Sequence, residues 1–132
     1  MLKKIDHVAL VVKDLEAAIN NFKDLFGFEV VERNEGPGGE FTGVMIENGA
    51  MRLELFQPLK PGSFMKFLEE RGGGLHHVSF QTDDIRAEMA ELKAKGKRLT
   101  SEEPVALPGA KVAFVHPSAT ENMLIELVER EP

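Results

Sequence analysis

The sequence has no cysteine, no tryptophan and no tyrosine. Without cysteine there is neither a disulfide framework nor a thiolate ligand, so a metal in this protein has to be held by imidazole and carboxylate. Nine phenylalanines carry all the aromatic packing, which leaves neither a ready base-stacking platform nor a phenolic acid. No apolar run approaches the ~18 residues of a membrane span, and Met1-Leu2-Lys3-Lys4 leads into a strand pattern without the apolar core of a signal peptide. A cytoplasmic protein with no membrane partner is expected. Basic residues are scattered and the formal net charge is −6, which argues against a nucleic-acid partner. At 132 residues the chain has room for one substantial core and not for two independent ones.

What is present is a repeat. Ile5-Asp6-His7-Val8-Ala9-Leu10 returns in weaker form as Leu75-His76-His77-Val78-Ser79-Phe80, so that His7 lies over His77, Val8 over Val78 and Asp14 over Asp84 at an offset of seventy residues. From Lys4 to Val12 apolar residues occupy both faces of an alternating strand. Asp14 then offers a helix N-cap, Leu15, Ile19, Phe22 and Phe26 form a stripe, and Gly27 ends it. Strands follow at 28–33, 43–47 and 51–56, the last two joined at Asn48-Gly49. The second half repeats the order: a strand at 75–82, Asp84 as N-cap, the stripe Ile85, Met89 and Leu92, Gly96, a short extended piece at Leu99, a loop at 104–109, and strands at 111–116 and 123–128. Between the halves lies a short helix closed by Gly72-Gly73-Gly74. These glycines precede a strand and do not open a helix, so they form a hinge and not a phosphate cradle. The expected architecture is α+β: two tandem βαβββ units (1–60 and 75–132, with a connector helix at 61–74) in a single domain spanning 1–132. Their curved mixed sheet would surround a metal cavity, with helices on its outer face.

His7, Glu54, His77 and Glu126 sit mid-strand among apolar residues, where an unpartnered charge costs several kcal/mol. If the first and last strands of each unit lie side by side, alternation puts the His and the Glu of a unit on one concave face. Pairing the units then gathers two imidazoles and two carboxylates, a natural ligand set for a divalent metal. By period two His76 faces away from His77 and is expected in packing or in support of the ligands. His116, ahead of Pro117, is expected to be structural.

The doubled unit with its His, Glu, His, Glu order resembles the vicinal oxygen chelate superfamily, also called the glyoxalase fold, over nearly the whole chain. Within it, I5-D-H-V-A, L53-E-L-F-Q-P-L, G74-L-H-H-V-S-F, D83-D-I, E103-P, K111-V-A-F-V-H-P and L124-I-E-L look like the methylmalonyl-CoA epimerases. That resemblance implies that His7, Glu54, His77 and Glu126 bind cobalt, manganese, nickel or zinc, with sites open to substrate oxygens. It also implies a homodimer and an acyl-CoA thioester or other small-molecule substrate. The implied chemistry removes a weakly acidic α-proton through a metal-stabilised enolate, with Glu126 as the first base. Some epimerases carry a second acid/base, a glutamate, at the position of Gly43; Glu47, on the same face, and Glu40, just before it, are the substitutes, and Glu47 is the one we assign. Thr120-Glu121-Asn122-Met123 replaces a turn that is glycine-rich in close relatives. Lactoylglutathione lyase (glyoxalase I) chemistry and a non-catalytic small-molecule-binding role of the same fold are the alternatives.

Overall fold

Alternating and helical patterns resolve, in the computed structural model of residues Met1–Pro132, into eight strands and three α-helices of an α+β fold. In chain order they are β1 (Leu2–Val11), α1 (Leu15–Phe26), β2 (Glu29–Glu35), β3 (Phe41–Asn48), β4 (Met51–Pro58), α2 (Ser63–Arg71), β5 (Gly74–Thr82), α3 (Ile85–Ala94), β6 (Val105–Leu107), β7 (Ala110–Val115) and β8 (Ile125–Arg130). Strand, helix and three strands therefore occur twice, before and after α2. The chain divides into two compact units, one formed by His7–His76 and the other by Met1–Asp6 together with His77–Pro132. No helix is long and apolar enough to cross a membrane.

In the unit His7–His76 the strand order is β2-β3-β4-β1, with β1 parallel to β4 and the other pairs antiparallel. Asp14 caps α1 by accepting from the Ala17 N–H at 3.1 Å, and Gly27 closes it in the left-handed region at φ 75°, a conformation that costs glycine little. The stripe Leu15, Ile19 and Phe22 packs on Leu10, Val12, Val44, Ile46, Leu53 and Leu55. Every second residue of β1 and β4 thus faces α1, which leaves His7, Ala9, Glu54 and Phe56 on the opposite face.

The second unit is built alike, in the order β5-β8-β7-β6 with β5 parallel to β8. Asp84 caps α3 through the Ala87 N–H at 3.0 Å, and Glu91 pairs with Lys95 on its outer side at 3.2 Å. Ile85, Met89 and Leu92 pack on Phe80, Ala113, Val115, Ile125 and Leu127, leaving His77, Ser79, Phe114 and Glu126 on the other face. The first residues of β1 belong here. Asp6 is 1% exposed and receives two bonds from Arg130, Nε to Oδ1 at 2.8 Å and Nη2 to Oδ2 at 2.7 Å.

Two local expectations shift. The stretch 104–109 expected as loop contains β6, an exposed edge strand paired to β7 through Leu107↔Ala110. Its turn residues are Pro108-Gly109, with Gly109 at φ 74°, the order a type II turn uses. The hairpin predicted at Asn48-Gly49 is one residue later: Asn48 pairs with Met51, so Gly49 and Ala50 make the turn. The Asn48 amide donates instead to the Phe26 carbonyl at 2.7 Å, satisfying one of the last acceptors of α1.

The triple glycine has a steric reason. Gly72, Gly73 and Gly74 all have positive φ, at 76°, 97° and 106°, and a Cβ on Gly73 would stand 2.7 Å from the Val11 carbonyl oxygen. Gly73→Ala is expected to cost about 1–3 kcal/mol, read as a lower urea midpoint at unchanged slope; an unchanged midpoint would count against the strained geometry.

Candidate metal centre

Each unit presents one imidazole and one carboxylate at the same register of its parallel strand pair. In the first, His7 stands two residues before Ala9, which pairs with Glu54. In the second, His77 stands two residues before Ser79, which pairs with Glu126. Alternation alone placed each His with its Glu on one face, and that is where both pairs lie. Both histidines and Glu126 are buried, and Glu54 is partly so.

The surroundings of the two halves differ. His7 Nε2 lies 3.3 Å from Glu54 Oε1, and Met45 of β3 sits opposite Glu54. Glu126 Oε1 accepts from the Ser79 hydroxyl at 2.7 Å. Phe114 pairs with Glu126 across β7 and β8 and meets His77 edge-on, ring centroids 5.3 Å apart and planes at 89°. Period two groups Phe114 with Val112 and His116 on one face of the strand, and the pairing with β8 makes that the face of Glu126, a place at the site that the sequence reading did not give it.

Glu47 shares the face of Glu54, since Glu47↔Arg52 is the next same-face pair after Met45↔Glu54, about 7 Å along the strand. Its Oε2 accepts from Arg52 Nε at 2.7 Å. The hairpin between them, closed at Asn48, was the available signal for this pair. Gly43 lies on the same face again, opposite Phe56 and Asn34. A Cβ there would meet Asn34 Oδ1 at 2.6 Å and the Phe56 ring at 3.0 Å, so a larger residue at that position would require the Asn34 side chain to move. Glu40 is elsewhere: its side chain lies against Gly62, and its carbonyl accepts from Leu59 and Lys60.

Beyond Glu54 on the same face is an aromatic cluster. Phe56 stacks on Phe64 of α2 at 4.6 Å between centroids, and Phe41 meets both edge-on. Its outer part is His76, which packs between Phe64 and Phe67. Burial, reinforced by the nearby Arg71 charge, holds the His76 imidazole below its ordinary pKa, which suits a packing role. His116 is structural as expected: its Nδ1 accepts from the Ser118 N–H at 3.1 Å and caps the turn at Pro117–Ala119. The turn that follows carries Glu121 and Asn122 at φ 57° and 68°, so two residues without glycine's freedom take the left-handed conformations that lead into β8.

Imidazole and carboxylate donors at matched places in a duplicated unit suit a borderline divalent cation such as cobalt, manganese, nickel or zinc and are a poorer match to magnesium. Doubled βαβββ units with such donors define a class, and the comparisons agree: residues 6–114 match the model of the glyoxalase/bleomycin resistance protein/dioxygenase superfamily, and the chain belongs to it. Within that superfamily several of its relatives are epimerases of acyl-CoA thioesters. It is 37% identical to the ethylmalonyl-CoA/methylmalonyl-CoA epimerase of Cereibacter sphaeroides, covering 96% of this chain and 98% of that protein. It is 34% identical to the mitochondrial methylmalonyl-CoA epimerase of Homo sapiens, covering 96% and 73%. Among solved structures, methylmalonyl-CoA epimerase from Mycobacterium tuberculosis superposes with a TM-score of 0.92 at 28% identity, covering 99% of this chain and 90% of that one. A methylmalonyl-CoA epimerase in complex with methylmalonyl-CoA superposes with a TM-score of 0.90 at 30% identity, covering all of both chains.

Proposed function

We propose that this protein is a metal-dependent isomerase that epimerises methylmalonyl-CoA, and that His7, Glu54, His77 and Glu126 act as one centre for a divalent cobalt, manganese, nickel or zinc ion within a single domain. The observation that carries the reading is the repeated register, Ala9↔Glu54 with His7 two residues before and Ser79↔Glu126 with His77 two residues before. Two strand pairs that each sink an imidazole and a carboxylate at the same step are hard to explain as packing alone. The near full-length similarity to epimerases supports the reaction, and a relative solved with methylmalonyl-CoA supports the thioester class. The family resemblance also implies a homodimer.

Epimerisation takes the proton from C2 of the acyl group and returns one to the opposite side of that carbon. A divalent cation held by the quartet supplies Lewis-acid stabilisation of the charge that develops on the carbonyl oxygen. Glu126 is the base that takes the C2 proton, a role worth ~10² to 10⁴ in rate for a well-placed group. Glu47 is the acid that delivers a proton from the other side. Its bond to Arg52 fixes one carboxylate oxygen, so the second is the one that works. A turnover leaves the two carboxyl groups with their protonation exchanged, and exchange with solvent or the reverse reaction resets them.

Incubation in deuterated water tests this reading. With methylmalonyl-CoA as substrate, deuterium is expected at C2. Formation of lactoylglutathione from the methylglyoxal–glutathione hemithioacetal, with no exchange at C2, would reassign the protein to glyoxalase chemistry. Neither reaction would make it a binding protein.

A further inference from the structure

The two carboxylates stand at equivalent places but are not treated alike. Ser79 and its counterpart Ala9 are both fully buried, and each pairs in register with its glutamate. Only Ser79 has a hydroxyl, and it donates to Glu126 Oε1 at 2.7 Å, a well-formed O–H···O bond. A serine has one proton to give. Fully buried in a strand, its hydroxyl is costly unless bonded, and Glu126 is the partner it has. At Glu54 the corresponding place holds only the Ala9 methyl, and the carboxylate lies beside His7 Nε2 at 3.3 Å.

We propose that Ser79 is a positioning residue that makes Glu126, and not Glu54, the base. Resting on the metal-centred reading above, the inference adds the cause of the asymmetry within the quartet. The hydroxyl engages Oε1 and so limits how the Glu126 carboxylate can turn between a cation and a substrate proton. Without that tether the carboxylate turns freely toward the cation, which then holds Glu126 more firmly and keeps it from the proton.

The test compares wild type with Ser79→Ala and Ser79→Thr, reading kcat and KM for C2 exchange and, separately, manganese(II) affinity by competition with a chelator. Ser79→Ala is expected to lower kcat roughly ten- to a hundredfold, the span of one hydrogen bond to a charged group, with KM little changed. Manganese affinity is expected to hold or rise. Ser79→Thr, which keeps the hydroxyl, is expected to recover most of kcat. A merely structural serine predicts the opposite pattern, with manganese affinity and kcat falling together alongside the melting temperature. That pattern would overturn the inference, as would an unchanged kcat in a wild type that binds metal. A wild type that binds no metal would instead remove the reading on which it rests.

Discussion

His77→Ala is expected to leave the protein without its metal and without exchange activity. Wild type should hold about one divalent ion per chain by elemental analysis, and the variant close to none after dialysis against a weak chelator. The reasoning is chemical. With one imidazole left beside two carboxylates, the donor set moves toward that of a harder and more weakly held ion. Losing Lewis-acid stabilisation worth several kcal/mol corresponds to about 10³-fold or more in rate. His77 is 4% exposed and packs on the edge of Phe114, so circular dichroism of the variant has to accompany the assay to separate loss of ligand from loss of fold. A folded His77→Ala protein that retains stoichiometric metal would dismiss His77 as a ligand.

Asp6→Ala is expected to be strongly destabilising. It removes one partner of a two-bond pair and leaves the Arg130 guanidinium, 32% exposed, without the carboxylate that two of its nitrogens address. Breaking such a pair at a buried site costs about 3–5 kcal/mol. For a chain of this length that corresponds to a fall in melting temperature of roughly 10–20 °C. Arg130→Ala should cost at least as much, since the carboxylate left behind is the fully buried member of the pair and must be protonated or rehydrated. A drop of under about 3 °C in Asp6→Ala, measured by scanning calorimetry, would show that the pair contributes little. Metal content measured alongside separates this effect from any disturbance of the neighbouring His7.

Much of the fold was legible because the repeat disciplined the reading. Asp14 and Asp84 as caps, Gly27 as a stop, and the stripes of α1 and α3 are local signals written in residue type, and each appears where expected. The faces of His7, Glu54, His77 and Glu126 follow from a strict period of two. What escaped has a physical reason in each case. The strand β6 is three exposed residues at a sheet edge, with no buried face to impose alternation. The hairpin moved by one residue because the Asn48 amide serves α1, a contact between segments that local turn preference cannot anticipate. The pairing of Asp6 with Arg130 spans almost the whole chain, and the difference between Ala9 and Ser79 acquires meaning only once each is seen in register with its glutamate.

The strand β1 also has a consequence for the order of events as the chain is made. Its residues from His7 onward belong to a unit that is complete at His76, so that unit has all its sequence when little more than half the chain exists. Met1–Asp6 belong to the other unit, and Asp6 finds its partner 124 residues later. Contacts of such separation form slowly because the loop must close before they reward it. Met1 finds Asp83 and Glu88 as soon as α3 is made, but Asp6 waits longer, and a ribosome that stalls short of Arg130 leaves its carboxylate without that guanidinium.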